Sequence, residues 1–508
     1  MIVTRIPAAA GYRKICLEVY MSIPALEPKA VWTNFLSICG IPRGSGNEAA
    51  IADWLLLRAR SLGLEASQDA VGNVIIRKPA SRDREFRNGV VLQAHMDMVC
   101  QAANGVDHDF KRDPIRPQIL ADDPDWMLAR GTTLGADNGI GMAAILAVLE
   151  ATDLVHGPLE ALFTVNEENG MSGARGLKPD SLKGNYVLNL DSEAIDELTI
   201  GCAGSLRANA RLELPALPAG PGLAWIELAI NGLQGGHSGV DIAKQRANAS
   251  RLLARMLTGL PVEIRLASLV GGNALNAIPR QAEALLCVPA ASLMAVQAAV
   301  VGLADEVRRE LAVVEPQFSC GLAPGRAAAA CLSPADSQRA LRLLLELPNG
   351  LQSMDAKLPN TIRTSLNLGI TSLAPSSSGQ FELSLGLLVR SSDEAEKLAL
   401  AATIEAACQA AGGRLERLSV SPAWQPEWDS PLLKTACAVF KQVHGAEANL
   451  TVTHGGLECG LFRPLYPRWQ MVSLGPNLRF AHSPDEALHI PSVAEFWRYL
   501  VALLRELQ

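Results

Sequence analysis

The sequence predicts an α/β fold, a mixed sheet flanked by helices, with an α+β domain inserted into it. Short apolar runs such as Val90–Ala94, Leu159–Val165 and Tyr186–Leu190 alternate with helical segments. This alternation is typical of parallel strands that are buried on both faces. The pattern changes after the small residues Ile200–Gly204, where alternating strands begin, and the first pattern returns near residue 416.

These changes of pattern predict the domain boundaries. A chain of 508 residues is too long for one hydrophobic core, so two domains are expected. Residues 1–20 read as an N-terminal extension without the pattern of a signal peptide. Residues 21–204 form the first part of the α/β domain, 205–415 the inserted domain, and 416–508 the second part of the α/β domain.

The composition excludes several classes of protein. Apolar residues make up 49% of the chain and charged residues 19%, as in a globular protein. The net charge is −7 and there is no block of Lys or Arg, which argues against nucleic acid or an anionic membrane as a partner. The ten cysteines form no CxxC pair, so we expect neither a disulfide framework nor a thiolate zinc site, and a cytoplasmic location.

One apolar stretch, 284–304, is long enough to cross a membrane. It contains Pro289, Ser292 and Gln297. A strand, a turn and an amphipathic helix explain this stretch better than a membrane span does.

A glycine-rich turn carries the acidic residue around which the α/β domain is organised. In Thr133–Gly141 three glycines surround Asp137, and the apolar helix Met142–Leu149 follows directly. Glycines allow a tight turn and a close approach of the backbone to another group. Asp137 could simply cap this helix, and taken alone that explanation is the more common one.

The residues that accompany Asp137 indicate metal chemistry. Hydrolysis of an amide at neutral pH needs an activated water and an acceptor for negative charge, and two metal ions supply both. Such a pair takes imidazoles, a bridging carboxylate, terminal carboxylates and a free carboxylate as base. The sequence offers these groups at strand ends and in turns: His95, Asp97, Asp137, Glu167, Glu168, Asp191 and His482.

Each part of this set has an ordinary alternative. His-x-Asp is common in loops, and adjacent glutamates usually form a solvated turn. His454 and His489 are alternatives to His482 as the last imidazole ligand. The combination in sequence order is much more specific than any single part.

At this point the sequence resembles a known family, the aminoacyl-histidine (Xaa-His) dipeptidases of the di-zinc aminoacylase and carnosinase superfamily. The resemblance extends from about residue 21 to the end. The segments that carry it share their order and residue types with that family: 92–99, 135–141, 167–173, 189–193, 235–239, 272–280 and 481–486.

The resemblance implies a role for each residue of the metal set. His95, Asp137 and Asp191 would bind one zinc ion, and Asp137, Glu168 and His482 the other. Asp97 would support a metal ligand and Glu167 would act as general base. The resemblance also implies a catalytic domain interrupted by a lid, and a cis peptide bond between Asp137 and Asn138.

Four further residues are candidates for contacts with the substrate. The resemblance implies that His237, in the loop Gly235–Gly239, polarises the scissile carbonyl group, and Asn276 could form a hydrogen bond with the same substrate. Arg390, at the end of an apolar strand, suits a free α-carboxylate, and Glu458 could meet the amino end. Exposed side chains without a function are the alternative for His237 and Arg390.

Three functions therefore remain open. The first is a cytosolic metallodipeptidase for Xaa-His and similar dipeptides, with two divalent ions, Zn²⁺ first and Mn²⁺ or Co²⁺ as alternatives. The second is an N-acyl amino acid amidohydrolase of the same superfamily, and the third is a non-enzymatic metal-binding protein. The expected partners are small dipeptide substrates, with a homodimer as one assembly open to the chain.

Overall fold

The computed structural model describes residues 26–507, and the chain forms two compact units. The first unit contains the residues up to Gly201, residues 425–452 and the residues from Glu458 onward. The second, here called the inserted unit, contains residues 202–424 and 453–457. The expected extension 1–20 lies outside the described residues.

The first unit begins with four helices and eight strands. They are α1 Lys29–Cys39, α2 Ala49–Ser61, β1 Glu65–Gln68, β2 Val74–Lys78, β3 Val90–His95, β4 Pro117–Ile119, β5 Trp126–Ala129, α3 Ala136–Glu150, β6 Leu159–Thr164, α4 Ser172–Gly176, β7 Tyr186–Asn189 and β8 Glu197–Cys202.

The inserted unit follows with thirteen strands, four helices and two short 3-10 turns. They are β9 Gly204–Leu214, β10 Leu217–Pro218, β11 Leu223–Asn231, β12 Gly236–His237, a turn Ile242–Lys244, α5 Ala249–Thr258, β13 Arg265–Gly271, β14 Ala277–Ile278, β15 Ala282–Pro289, a turn Ala290–Ser292, α6 Leu293–Glu310, β16 Ser319–Pro324, β17 Ala330–Cys331, α7 Pro334–Glu346, β18 Gly350–Met354, β19 Ile362–Pro375, β20 Phe381–Ser391, α8 Glu394–Ala410 and β21 Arg414–Ser421.

The chain then completes the first unit with three helices and four strands. They are α9 Pro431–His444, β22 Asn449–Thr453, α10 Glu458–Leu465, β23 Gln470–Ser473, β24 Leu478–Arg479, β25 Ala487–His489 and α11 Ile490–Glu506.

An eight-stranded mixed sheet forms the centre of the first unit, in the order β1-β2-β6-β3-β7-β23-β8-β22. Strands β6, β3, β7 and β23 are parallel neighbours, so their carboxyl ends meet at one edge. Every residue of β3, β6 and β7 is buried, as their continuous apolar sequence predicts. The apolar helix α3 packs on β3. A smaller sheet has the order β24-β25-β5-β4.

The main sheet of the inserted unit is antiparallel, with the order β16-β11-β15-β13-β19-β20-β9-β21 and β18 beside β19. In β9, alternate residues from Leu206 to Leu214 are buried, the period-2 pattern of a sheet with one face in a core. The mixed α/β sheet and the α+β insertion confirm the predicted fold class.

The unit boundaries differ from the predicted ones. The inserted unit ends at Trp424 rather than at residue 415, because β21 pairs with β9 and therefore still belongs to its sheet. It also begins at Cys202, three residues early, and takes in Thr453–Leu457. No periodicity in the sequence predicts that so short a segment as Thr453–Leu457 belongs to the inserted unit while the residues on either side of it belong to the first unit.

Within residues 26–507, the segment Ala290–Glu310 is long enough and apolar enough to cross a membrane, by length and composition alone. Helix α6 buries Val296, Val300, Ala304 and Val307 in the core of the inserted unit. Their spacing of three or four residues is that of an amphipathic helix. The predicted strand, turn and amphipathic helix are all present.

Candidate metal centre

Five side chains of the first unit meet at the carboxyl edge of its parallel strands. His95 is the last residue of β3, Glu167 and Glu168 follow β6, and Asp191 comes two residues after β7. His482 lies in the loop between β24 and β25. Strand ends of a parallel sheet place polar groups at one edge, where α/β proteins bind ligands.

Asp137 lies between the two histidines. Gly135 takes a left-handed conformation, with φ 67°, and the Asp137–Asn138 peptide bond is cis, as the resemblance implies. Asp137 Oδ1 lies 2.9 Å from His95 Nε2, and its Oδ2 lies 3.2 Å from His482 Nε2. Each carboxylate oxygen therefore faces a different imidazole, which is the arrangement that a bridging ligand requires.

The remaining carboxylates complete two sets of donor atoms. Asp191 Oδ1 is 3.4 Å from His95 Nε2, and Glu168 Oε1 is 3.1 Å from His482 Nε2. The donor atoms of His95, Asp137 and Asp191 all lie within 4.8 Å of one another, as do those of Asp137, Glu168 and His482. Imidazoles and carboxylates in this ratio fit two divalent ions that share Asp137.

The charges of these groups favour cations. Burial opposes charge on His95, but Asp191 and Asp137 raise its pKa well above the usual value. Hydrogen bonds with Asp137 and Glu168 raise the pKa of His482 to about 11. Burial would raise the pKa of Asp137, but both histidines lower it. The carboxylates thus outnumber the imidazoles and attract positive charge, which divalent ions can supply in place of protons.

Asp97 holds the loop that carries the two glutamates. Its carboxylate accepts hydrogen bonds from the backbone N–H groups of Glu167 (2.9 Å) and Glu168 (3.1 Å), and from the Ser45 hydroxyl (2.7 Å). His95 Nδ1 lies 3.4 Å from Asp97 Oδ1 and 3.2 Å from the Asp97 carbonyl oxygen. Burial would raise the pKa of Asp97, but hydrogen bonds from His95 and Ser45 lower it to about 2.

Glu167 lies beside the donor atoms and belongs to neither set that shares Asp137. One of its oxygens is within 4.8 Å of donor atoms of His95 and Glu168. Burial raises the pKa of Glu167 well above its ordinary value, and the carboxylates of Asp191 and Glu168 add to the rise. A carboxylate with a raised pKa is a stronger base and a better match for proton transfer near neutral pH.

Two residues that position Asp137 escaped the sequence analysis. The buried Arg43 guanidinium donates hydrogen bonds to the carbonyl oxygens of Met96 (2.9 Å), Asp97 (2.7 Å) and Gly135. It therefore ties the end of β3 to the glycine-rich turn. Only the position of Arg43 in the Pro-Arg-Gly-Ser-Gly turn after α1 marks it in the sequence.

Glu486 is the second of these positioning residues. Its carboxylate accepts hydrogen bonds from the backbone N–H groups of Leu134 (2.8 Å), Gly135 (2.9 Å) and Asp137 (3.2 Å). It lies four residues after His482, within a segment that carries the family resemblance. That proximity is the one signal in the sequence that could have found it.

The predicted role of Glu458 is wrong in this structure. Its side chain is fully buried, and its carboxyl group accepts hydrogen bonds from Gln93 and Thr164 inside the sheet. Burial raises its pKa to about 8. A group without exposed surface is not available to the amino end of a substrate.

The other substrate candidates lie in the inserted unit. His237 pairs with Ala277, next to Asn276, and Ser238 N–H donates to the Asn276 carbonyl oxygen (2.8 Å). His237 Nδ1 accepts hydrogen bonds from backbone N–H groups, so its ring proton is on Nε2, the nitrogen that could donate to a carbonyl oxygen. Arg390 Nη1 donates to the His454 carbonyl oxygen (3.4 Å).

Neither alternative to His482 joins the donor sets. His454 belongs to the inserted unit, where its Nε2 pairs with the Ser365 hydroxyl at 2.7 Å. The His489 ring lies against Trp126 at a tilt of 53°, with ring centroids 4.9 Å apart.

Comparison with known proteins matches this chain to a family. The model of the peptidase family M20/M25/M40 matches residues 91–506. The chain belongs to this family. It is 39% identical over 486 residues to the cytosol non-specific dipeptidase of Escherichia coli (strain K12). This match covers 95% of the present chain and 98% of the relative. The resemblance to dipeptidases that the motifs indicate is thereby confirmed.

Solved structures agree with this membership. The aminoacylhistidine dipeptidase from Vibrio alginolyticus superposes with a TM-score of 0.85 and 37% identity, over 95% of this chain and 97% of that one. A tripeptidase from Staphylococcus aureus, at 16% identity and a TM-score of 0.56 over 95% and 98%, shares the fold alone. The five residues of the two donor sets all lie within the family match, whereas Arg43 lies before it.

Proposed function

We propose that this protein is a cytoplasmic metallodipeptidase that hydrolyses Xaa-His and similar dipeptides with broad specificity. The observation that carries the proposal is the pair of donor sets that share Asp137, with Glu167 beside them. The high identity to a cytosol non-specific dipeptidase and to an aminoacylhistidine dipeptidase supports the substrate class and the location.

Two divalent ions are the proposed cofactors. His95, Asp137 and Asp191 would hold one and Asp137, Glu168 and His482 the other. Zn²⁺ is the first candidate, and Mn²⁺ and Co²⁺ suit the same ligands. When bound, such ions lower the pKa of a water molecule and accept negative charge from the carbonyl oxygen.

The side chains of the first unit then have distinct tasks. Glu167 takes the proton from the attacking water and delivers it to the leaving amine. Asp97 fixes the backbone of Glu167 and Glu168, so that the base and its neighbour keep separate directions. Asp97 also fixes the orientation of the His95 ring through its contact with His95 Nδ1.

The substrate roles of His237, Asn276 and Arg390 stay predictions. The Nε2 proton of His237 suits a developing oxyanion. Arg390 is mostly buried, its Nε has no hydrogen-bond partner among residues 26–507, and burial lowers its pKa. A buried cation of this kind suits the α-carboxylate of a dipeptide. A homodimer also stays a prediction, which sedimentation analysis would check.

A substrate panel tests the proposal. Dipeptides, tripeptides and N-acyl amino acids would be assayed with added Zn²⁺, Mn²⁺ or Co²⁺. We expect dipeptides to be cleaved fastest and N-acyl amino acids to be poor substrates. Preferred cleavage of N-acyl amino acids would favour a deacylase, and metal binding without any hydrolysis would favour a binding protein.

A further inference from the structure

Glu458 is a buried carboxyl group with no part in the proposed mechanism. It is the first residue of α10, and none of its side chain is exposed. Its Oε2 accepts hydrogen bonds from Gln93 Nε2 at 2.6 Å and from Thr164 Oγ1 at 2.7 Å. Its Oε1 has no hydrogen-bond partner among residues 26–507.

The partners of Glu458 belong to the strands that end at the metal centre. Gln93 lies on β3, two residues before His95, and Thr164 is the last residue of β6. Gln93 Oε1 accepts a further hydrogen bond, at 2.5 Å, from Asn189 Nδ2 at the end of β7. The side chains of Gln93, Thr164, Asn189 and Glu458 are all fully buried.

The same residues also join these strands through the backbone. Met96 N–H donates to the Thr164 carbonyl oxygen at 2.7 Å, and Leu190 N–H donates to the Gln93 carbonyl oxygen at 2.8 Å. Three neighbouring strands thus share one polar network directly beneath the residues that carry their metal ligands. An apolar core residue at position 458 would pack there, but it would leave Gln93 Nε2 with fewer acceptors.

A buried polar network fixes one arrangement of its members, because each alternative arrangement leaves a buried donor or acceptor unpaired. In this network the arrangement sets the relative positions of the ends of β3, β6 and β7. His95, Glu168 and Asp191 depend on those positions, since two metal ions tolerate only small changes in ligand geometry.

We propose that Glu458 is a positioning residue of the metal centre. Its carboxyl group holds the three strand ends in register, so that the ligands are arranged before the ions bind. This inference rests on the proposed metal centre and adds a determinant of metal affinity that makes no contact with metal or substrate.

The test compares metal affinity with folding stability. Glu458→Leu removes both acceptor contacts, and Glu458→Gln keeps an oxygen acceptor in nearly the same volume. Phe462→Leu changes another fully buried residue of α10, one that packs against Trp469, and serves as the structural control. Zn²⁺ affinity would be measured by competition with a chromogenic chelator, and thermal unfolding would be followed for metal-free and metal-loaded protein.

We expect Glu458→Leu to weaken the binding of at least one ion about 10-fold or more, as outer ligand partners do. Glu458→Gln should retain most of the affinity. Phe462→Leu should lower the unfolding temperature without changing metal affinity. Excess metal should restore part of the activity of Glu458→Leu, because its defect is in ligand placement.

Three results decide against the positioning role. The first is that Glu458→Leu binds both ions as tightly as the wild type. The second is that Phe462→Leu weakens metal binding as much as Glu458→Leu does. If Glu458→Leu does not fold, Thr164→Val, which removes one hydroxyl, replaces it, with Thr164→Ser as the control that keeps the hydroxyl. Equal affinities in these two variants would overturn the proposal, whereas a wild type that binds no metal would overturn the metal centre itself.

Discussion

Glutamine in place of Glu167 removes the proposed general base and keeps the shape of the side chain. The surrounding loop should not move, because Asp97 holds it through the backbone N–H groups of Glu167 and Glu168. The two donor sets that share Asp137 also remain intact, since neither contains Glu167. The substitution therefore tests proton transfer separately from metal binding.

The expected loss follows from the position and the pKa of Glu167. Its carboxylate is next to the donor atoms of His95 and Glu168, and burial raises its pKa. A positioned base with a raised pKa contributes about 10²–10⁴-fold to the rate. Since each factor of ten corresponds to 1.36 kcal/mol, the barrier should rise by about 3–5 kcal/mol.

The assay has three parts. Steady-state hydrolysis of a dipeptide gives kcat and KM, metal analysis gives the number of bound ions, and an inhibition experiment with an amino acid product checks binding. We expect a kcat lower by the factor above, two bound ions and nearly unchanged binding. The companion variant Glu168→Gln should instead lose an ion.

The reasoning would be refuted by the reverse pattern. If Glu167→Gln loses metal while Glu168→Gln keeps two ions, the two glutamates have exchanged roles. A kcat within a few-fold of the wild type would show that another group moves the proton.

Three further predictions concern the surroundings of the centre. His237→Ala should chiefly lower kcat, because a contact with the oxyanion strengthens in the transition state. Arg390→Ala should chiefly raise KM, because a group that binds the substrate carboxylate acts equally in the ground state and the transition state. Unchanged kinetics in both variants would mean that His237 and Arg390 are surface residues without a role in the reaction. Burial, together with the nearby charges of Arg390 and His237, lowers the pKa of His454 to about 4. The folded protein therefore holds this imidazole neutral, and the stability that the neutral imidazole contributes is present above pH 6.5 and is lost as the pH falls towards 4. Between pH 7 and 4.5 the wild type should therefore lose about 2–3 kcal/mol more of its free energy of unfolding than His454→Gln does, and equal losses in denaturant titrations would contradict this. Arg43→Lys should weaken metal binding about 10-fold, because an ammonium group cannot reach the three carbonyl oxygens that the guanidinium joins; wild-type affinity by chelator competition would make Arg43 dispensable.

The strand ends explain why much of the centre could be predicted. His95 ends a continuous apolar strand and Asp191 follows another, and parallel strands bring their carboxyl ends together. The glycines around Asp137 mark a constrained turn. Local sequence therefore carries the positions of these residues, and the family resemblance supplies how they are shared between two ions.

Residues that act across long sequence distances could not be found in this way. Arg43 and Glu486 reach the turn of Asp137 from opposite ends of the chain, and neither stands in a periodic pattern. The sequence also does not show that the Glu458 side chain points into the sheet, where Gln93 and Thr164 donate hydrogen bonds to it. Partners in space decide what such a charged side chain does.

The most direct test of the account is the metal content of the wild type and of Asp137→Ala. Elemental analysis after dialysis against buffered Zn²⁺ should find two ions per chain in the wild type. Asp137→Ala removes the oxygens that face His95 and His482, so it should lose metal and activity together. The control Asp485→Ala, an exposed carboxylate near His482, should keep both ions. Two ions and normal activity in Asp137→Ala would contradict a centre built on this shared carboxylate.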